Sequence, residues 1–84
     1  MHSTRFDLPV AMTEYAGLRM AERSMNTVLD LEIIDTGIFK HAGNGHCWLY
    51  KHFDDRADNL LCLAAVIENA LVVKTVIHHW EPVR

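Results

Sequence analysis

Asn44-Gly45 constrains the fold of this chain more than any other pair of its residues. Both central positions of a two-residue type I′ turn need positive φ, so this dipeptide is expected to join the runs 38–43 and 46–53 into a β-hairpin. Such a turn sets Phe39 across from Tyr50 and His41 across from Trp48. Phe39, His41, His46, Trp48, Tyr50 and His52 would then share one face. A polar stretch, 54–59, leads into Leu60–Ile67, whose unbroken apolar run suggests a strand covered on both faces. Glu68 and Asn69 turn the chain into 71–80, a β-branched run. The second half is therefore expected to be a meander of antiparallel strands.

The first half carries helix punctuation. Thr13 is placed to cap a helix over 13–23, in which Tyr15, Arg19, Glu22 and Arg23 share one side. Ala16, Gly17, Met20 and Ala21 form a second, close-packing side. Ser24 and Asn26 stand where a turn and a second cap belong; Asp30 suits the dipole of the next helix and Gly37 ends it. Residues 29–33 alternate as a strand would, but both flanks favour the helix. Segment 6–12 has the pattern of a short edge strand, since Pro9 is tolerated only at an edge or bulge. Residues 1–5 are expected to be a loose N-terminus. The expected fold is α+β, a single domain over 1–84 with two N-terminal helices packed on a four-stranded antiparallel meander sheet.

A formal net charge of −3 removes the case for a broad phosphate-binding surface, because such surfaces need surplus Lys and Arg. A local cationic site is still compatible with it. Half of the residues are hydrophobic, enough for a globular core and unlike a disordered chain. Cys47 and Cys62 stand alone in sequence, as small buried hydrophobes do, without a disulfide framework. Arg5 and Asp7 fall where a signal peptide needs its apolar core, and no apolar run is long enough to span a bilayer. A reduced cytoplasm is the expected compartment, with no membrane contact.

Two groups of residues could carry chemistry. Trp48 and Tyr50 could stack on unpaired bases, or serve as packing and interface residues. His46 and His52 lie too far apart along their strand to chelate one ion, and His41 with His46 would give only two imidazoles, short of a structural zinc set, so no metal and no cofactor are expected. In 71–80, Lys74, His78 and Trp80 fall on one face and Thr75, Ile77 and His79 on the other. A histidine near a cation supplies what metal-free RNA cleavage needs, namely a proton carrier near neutral pKa and positive charge for the phosphorane. Arg19 and Arg23, one helical turn apart, could together hold a phosphate, or could pair with Glu22 and the acidic residues of 54–58.

The run from Thr13 through Glu14, Tyr15, Ala16, Gly17, Leu18, Arg19, Met20, Ala21, Glu22, Arg23 and Ser24 to Met25 resembles the T-x-H-A-x-x-R-M-x-x-R-G opening of a small bacterial family of unknown function. The segment 73–80 looks like that family's closing strand. Thr13, Ala16, Arg19, Met20 and Arg23 match motif positions, whereas Tyr15 replaces the family's histidine and Ser24 its glycine. The resemblance implies the RelE-like or BrnT-like architecture of ribonuclease toxins encoded beside small antitoxins. Combined with the residues singled out above, this makes the leading expectation a metal-independent endoribonuclease with catalytic His78, Lys74, Arg19 and Arg23, and with Tyr15, Trp48, Tyr50 and His79 in binding. RNA would be its substrate and an antitoxin its protein partner. The alternative is a non-catalytic interaction or dimerisation module, a degenerate relative whose arginine face binds acidic residues of a partner or of a second copy.

Overall fold

The computed structural model describes residues 1–53 and 60–78. Its elements in chain order are β1 (His2–Ser3), β2 (Leu8–Met12), α1 (Glu14–Glu22), α2 (Thr27–Thr36), β3 (Ile38–Gly43), β4 (His46–His52), β5 (Leu60–Ile67) and β6 (Leu71–His78). The strands form one sheet in the order β1-β2-β6-β5-β4-β3. β2 runs parallel to β6 and the other neighbours are antiparallel.

The fold is thus mixed α/β on a six-stranded sheet, which corrects the expected four-stranded antiparallel meander of RelE-like or BrnT-like type. The meander β3–β6 is present, but it is only part of the sheet. Val10, Ala11 and Met12 pair with Leu71, Val72 and Val73, so β2 is an interior strand rather than an edge. Pro9 lies just ahead of those three rungs and faces His2 of β1 instead. A parallel pairing between the two ends of a chain leaves no local periodicity, because each strand shows only its own alternation.

Both helices form where their caps predict. Thr13 Oγ1 accepts from the Ala16 amide at 3.1 Å, and Asn26 Oδ1 accepts from the Leu29 amide at 2.9 Å. α1 ends in a Schellman motif: the Met25 amide donates to the Met20 carbonyl at 2.9 Å and the Ser24 amide to the Ala21 carbonyl at 3.2 Å. Ser24 takes φ 54 to close it, the left-handed conformation for which glycine is the better residue. α1 buries Ala16 and Met20, one turn apart. Gly17 and Ala21, expected on the same packing side, are not part of it. A Cβ on Gly17 would meet nothing within 4 Å, and Ala21 is exposed.

The core lies between the helices and one sheet face. Ala16, Met20, Met25, Ile33 and Ile34 meet Val10, Cys47, Leu49, Leu61, Leu63, Ala65, Leu71, Val73 and Val76. The N-terminus, expected to be loose, is tied to this layer. Ser3 is fully buried and donates to Asp35 Oδ1 at 2.6 Å, with Thr4 Oγ1 and the Arg5 amide on the same carboxylate. Arg5 Nη1 donates to the Ile34 and Gly37 carbonyls at 3.2 and 2.6 Å. α2 has no basic residue in its last turn, and Arg5 supplies that charge from outside the helix.

The hairpin turns at Asn44-Gly45, but one residue out of the expected register. Gly43, Asn44 and Gly45 all have positive φ, and the β3–β4 ladder shifts between His41 and Gly43. Phe39 therefore pairs with Leu49 and His41 with Cys47, while Ile38 faces Tyr50 and Lys40 faces Trp48. A slip of one residue moves a whole strand's side chains to the other face. Phe39 accordingly packs against the core, its ring 5.5 Å from that of Phe6.

Candidate functional site

The N-terminal root of α1 is joined to β6 by two hydrogen bonds. The Thr13 amide donates to the Val73 carbonyl at 3.0 Å, and Thr13 Oγ1 donates to the Lys74 carbonyl at 3.1 Å. One hydroxyl thus caps the helix and fastens it to the strand. This brings the helix bearing Arg19 and Arg23 beside the strand bearing Lys74.

Lys74 sits at a β-bulge. Ala64 pairs with Thr75 and Ala65 with Val73, leaving Lys74 as the additional residue, exposed to solvent. A bulge re-aims the side chain it inserts. It also interrupts the two-residue rhythm that would align Lys74 with position 78, so the expected common face for these residues does not follow from the backbone. His78 pairs with Leu61 at the end of β6; His79 and Trp80 lie outside the described residues.

Arg19 Nη1 lies 2.9 Å from Glu22 Oε2, with the side chains 30% and 55% exposed. An ion pair this open contributes roughly 0–1 kcal/mol, so a phosphate could displace Glu22 at little cost. Arg19 Nε is buried without a hydrogen-bond partner among the described residues, so this guanidinium retains donor capacity. Arg23 forms the C-cap of α1 and is half-buried. Tyr15 stands 57% exposed and Leu18 60% exposed on the outer side of α1.

The aromatic pair belongs to another surface. Cys47 and Leu49 point into the helix-covered core, so Trp48 and Tyr50, alternating with them on β4, lie on the opposite sheet face. There they stand across from Ala64 and Cys62. Both rings are half-buried and engaged with neighbours. The sheet therefore separates the expected stacking residues from the arginine helix. Phe39 and His41 leave the aromatic face altogether through the register shift.

Burial raises the pKa of the Cys47 thiol and pushes that of Cys62 up to about 12, which keeps both protonated and unfit as nucleophiles. Asp30 lies in the first turn of α2, where it was expected. It is also fully buried, and neither carboxylate oxygen has a hydrogen-bond partner among the described residues. Desolvation pushes its pKa up to about 7. Its position three and four residues before two core isoleucines is the signal that could have found it. Lys51, on the core side of β4, bridges to α2 through Glu32 Oε2 at 3.2 Å and Thr36 Oγ1 at 2.5 Å. Among the described residues no three His, Cys, Asp or Glu side chains gather as metal ligands would.

The fold defines a small mixed α/β domain whose first helix is bolted to its last strand. Protein-family models, curated proteins and solved structures were all compared with the chain, and none matches it.

Proposed function

We propose that this chain is a toxin-like cytoplasmic domain that binds RNA at the α1–β6 corner and cleaves it without a metal. What supports this is the double anchoring of Thr13 on Val73 and Lys74, which fastens the N-terminal root of the helix that carries Arg19 and Arg23 to the strand that carries Lys74. In the proposed reaction the ribose 2′-oxygen attacks the adjacent phosphorus as His78 accepts its proton. The P–O5′ bond then breaks, leaving a 2′,3′-cyclic phosphate and a 5′-hydroxyl that takes up a proton. Arg19 and Arg23 hold the phosphate, and Lys74 stabilises the charge of the phosphorane. Tyr15 offers its ring at the rim. Neither Trp48 nor Tyr50 is assigned to this corner.

One observation favours the interaction module. Arg19 is already paired with Glu22, and Tyr15 and Leu18 lie exposed next to it, as in a helix that docks on a protein, an antitoxin or a second copy. A labelled single-stranded RNA incubated with the purified protein in chelator separates the two. Nuclease action yields cyclic-phosphate ends, with a drop of about 10² to 10⁴ in rate for His78→Ala and a comparable drop for Arg19→Ala. Intact RNA together with a stable dimer would transfer the arginine face to protein binding. Cleavage untouched by either substitution would remove the catalytic assignment.

A further inference from the structure

The chain has four asparagines, and only Asn44 is followed by glycine. Asparagine is thermolabile because the next backbone nitrogen can attack its side-chain amide carbon, and a side chain on the attacking residue hinders the approach. Glycine removes that hindrance. Asn26 precedes a threonine, Asn59 a leucine and Asn69 an alanine. Asn26 is further held as the cap of α2, where its Oδ1 accepts from the Leu29 amide. Asn44 is exposed at the apex of the β3–β4 hairpin between Gly43 and Gly45, and its side chain has no hydrogen-bond partner among the described residues.

The turn around it has little slack. The Gly45 carbonyl accepts from the Ile67 amide at 2.9 Å, and a Cβ on Gly45 would lie 2.9 Å from the Ile67 carbonyl oxygen. The ladder already carries Ala42 as an additional residue between the His41–Cys47 and Gly43–His46 pairs. One more main-chain atom at Asn44 would therefore displace Gly45 from Ile67. β3 is bonded to β4 alone, so its turn end yields first. Its other end is fastened: Arg5 Nη1 donates to the Gly37 carbonyl at 2.6 Å, and the Phe6 and Phe39 rings are 5.5 Å apart.

We propose that Asn44 is a self-modification site that slowly loosens the hairpin. When the turn opens locally, the Gly45 nitrogen bonds to Asn44 Cγ, and the side-chain amino group leaves as ammonia with the Gly45 amide proton. A five-membered cyclic imide results. Water then adds to one of its two carbonyls and the C–N bond there breaks. Opening at Cγ gives aspartate; opening at the main-chain carbonyl of residue 44 gives isoaspartate, whose backbone runs through Cβ and Cγ. The net reaction consumes one water and releases one ammonia. Only the isoaspartate lengthens the main chain, and it frees the turn end of β3 while Phe39 stays seated. No residue of the α1–β6 corner takes part.

The test incubates the full chain in mildly alkaline buffer, which promotes deprotonation of the attacking amide. Peptide mass spectrometry, enzymatic methylation of isoaspartate and amide hydrogen exchange follow the outcome. Loss of ammonia and then uptake of water are expected at Asn44, while Asn26 and Asn69 keep their amides. In the isoaspartate fraction, exchange over 43–46 and at the Ile67 amide should speed up about fivefold, the effect of one lost backbone hydrogen bond, with 37–39 unchanged. Asn44→Gly suits the positive φ of this position and cannot form the imide, so it should show neither change after the same incubation. Freshly prepared Asn44→Asp carries the new charge without the additional atom and should exchange as the native chain does. Modification at Asn69 as fast as at Asn44, an Asn44 amide that outlasts the others, unchanged exchange in the isoaspartate fraction, or equal loosening in fresh Asn44→Asp would each overturn the proposal.

Discussion

Asp30→Asn is expected to change stability little near the ordinary carboxylate pKa of about 4 and to stabilise the protein strongly above neutrality. In the folded chain the Asp30 carboxyl is fully buried, lacks a hydrogen-bond partner among the described residues, and has its pKa pushed from 3.8 to about 7. The unfolded chain gives up this proton near the ordinary carboxylate value, whereas the folded chain holds it until about pH 7. Folding therefore takes up a proton throughout that interval. The contribution of Asp30 is most favourable below the unfolded pKa, falls as pH rises, and levels off above the folded pKa.

At 1.36 kcal/mol per pH unit, an interval of roughly three units corresponds to a loss of about 4 kcal/mol. That is a large part of the roughly 5–15 kcal/mol by which a domain is stable, and equivalent to about 20 °C in Tm for a chain this short. It is an upper value, because any shift of α2 that admits water relieves part of the cost. An asparagine of the same shape does not ionise, so the gap between variant and native stability isolates this one group from the other carboxylates. Urea unfolding of both proteins at about pH 5 and about pH 8 measures that gap. It should widen by about 3 kcal/mol between these two pH values, the part of the loss that falls between pH 5 and the folded pKa. A gap that stays constant with pH, or a variant less stable than native at about pH 8, would show that the carboxylate is satisfied in the folded protein and refute the reasoning.

Three further substitutions test the helix ends and the anchored N-terminus. Gly37→Ala would place a methyl 2.4 Å from the Ile33 carbonyl oxygen and 2.7 Å from that of Tyr50; since both are backbone atoms, a loss of about 2 kcal/mol or more is expected in urea unfolding. Ser24→Gly should gain about 1 kcal/mol by relieving a left-handed side-chain residue, read as a higher Tm with an unchanged circular dichroism spectrum. Asp35→Asn should lower stability near neutrality and flatten the acid limb of the unfolding profile. Burial alone would raise the Asp35 pKa, but hydrogen bonds from Ser3, Arg5 and Thr4 lower it, so its contribution is present above the unfolded pKa and lost as pH falls through the folded one. Acid titration followed by circular dichroism checks the difference.

What could be read from the residues, and what could not, divides along the range of the interactions involved. Thr13, Asn26 and Gly37 act within one helical turn of themselves, and the helices begin and end with them. Asn44-Gly45 likewise marks its own turn. It cannot reveal that Gly43 adds a third positive φ ahead of it, or that Ala42 is an additional residue in the ladder, which transfers Phe39 and His41 across the sheet. The pairing of β2 with β6, the burial of Ser3 against Asp35, and the bulge at Lys74 each depend on residues brought from far along the chain. No pattern within a segment announces its partner. The candidate site inherits this division. Arg19 and Arg23 could be placed on one helix from spacing alone, and Thr13 as its cap. The second bond of the Thr13 hydroxyl, to the Lys74 carbonyl, makes that helix part of a corner with β6, and it became visible only once the two ends of the chain were in the same sheet. The aromatic residues failed as part of the same site for a related reason. Alternation assigned them correctly to one face of their own strand, but only the core residues Cys47 and Leu49 show which face the helices cover. The candidate site therefore keeps the helix of Arg19 and Arg23 and the β6 strand to which Thr13 fastens it, and loses Trp48 and Tyr50 to the other sheet face.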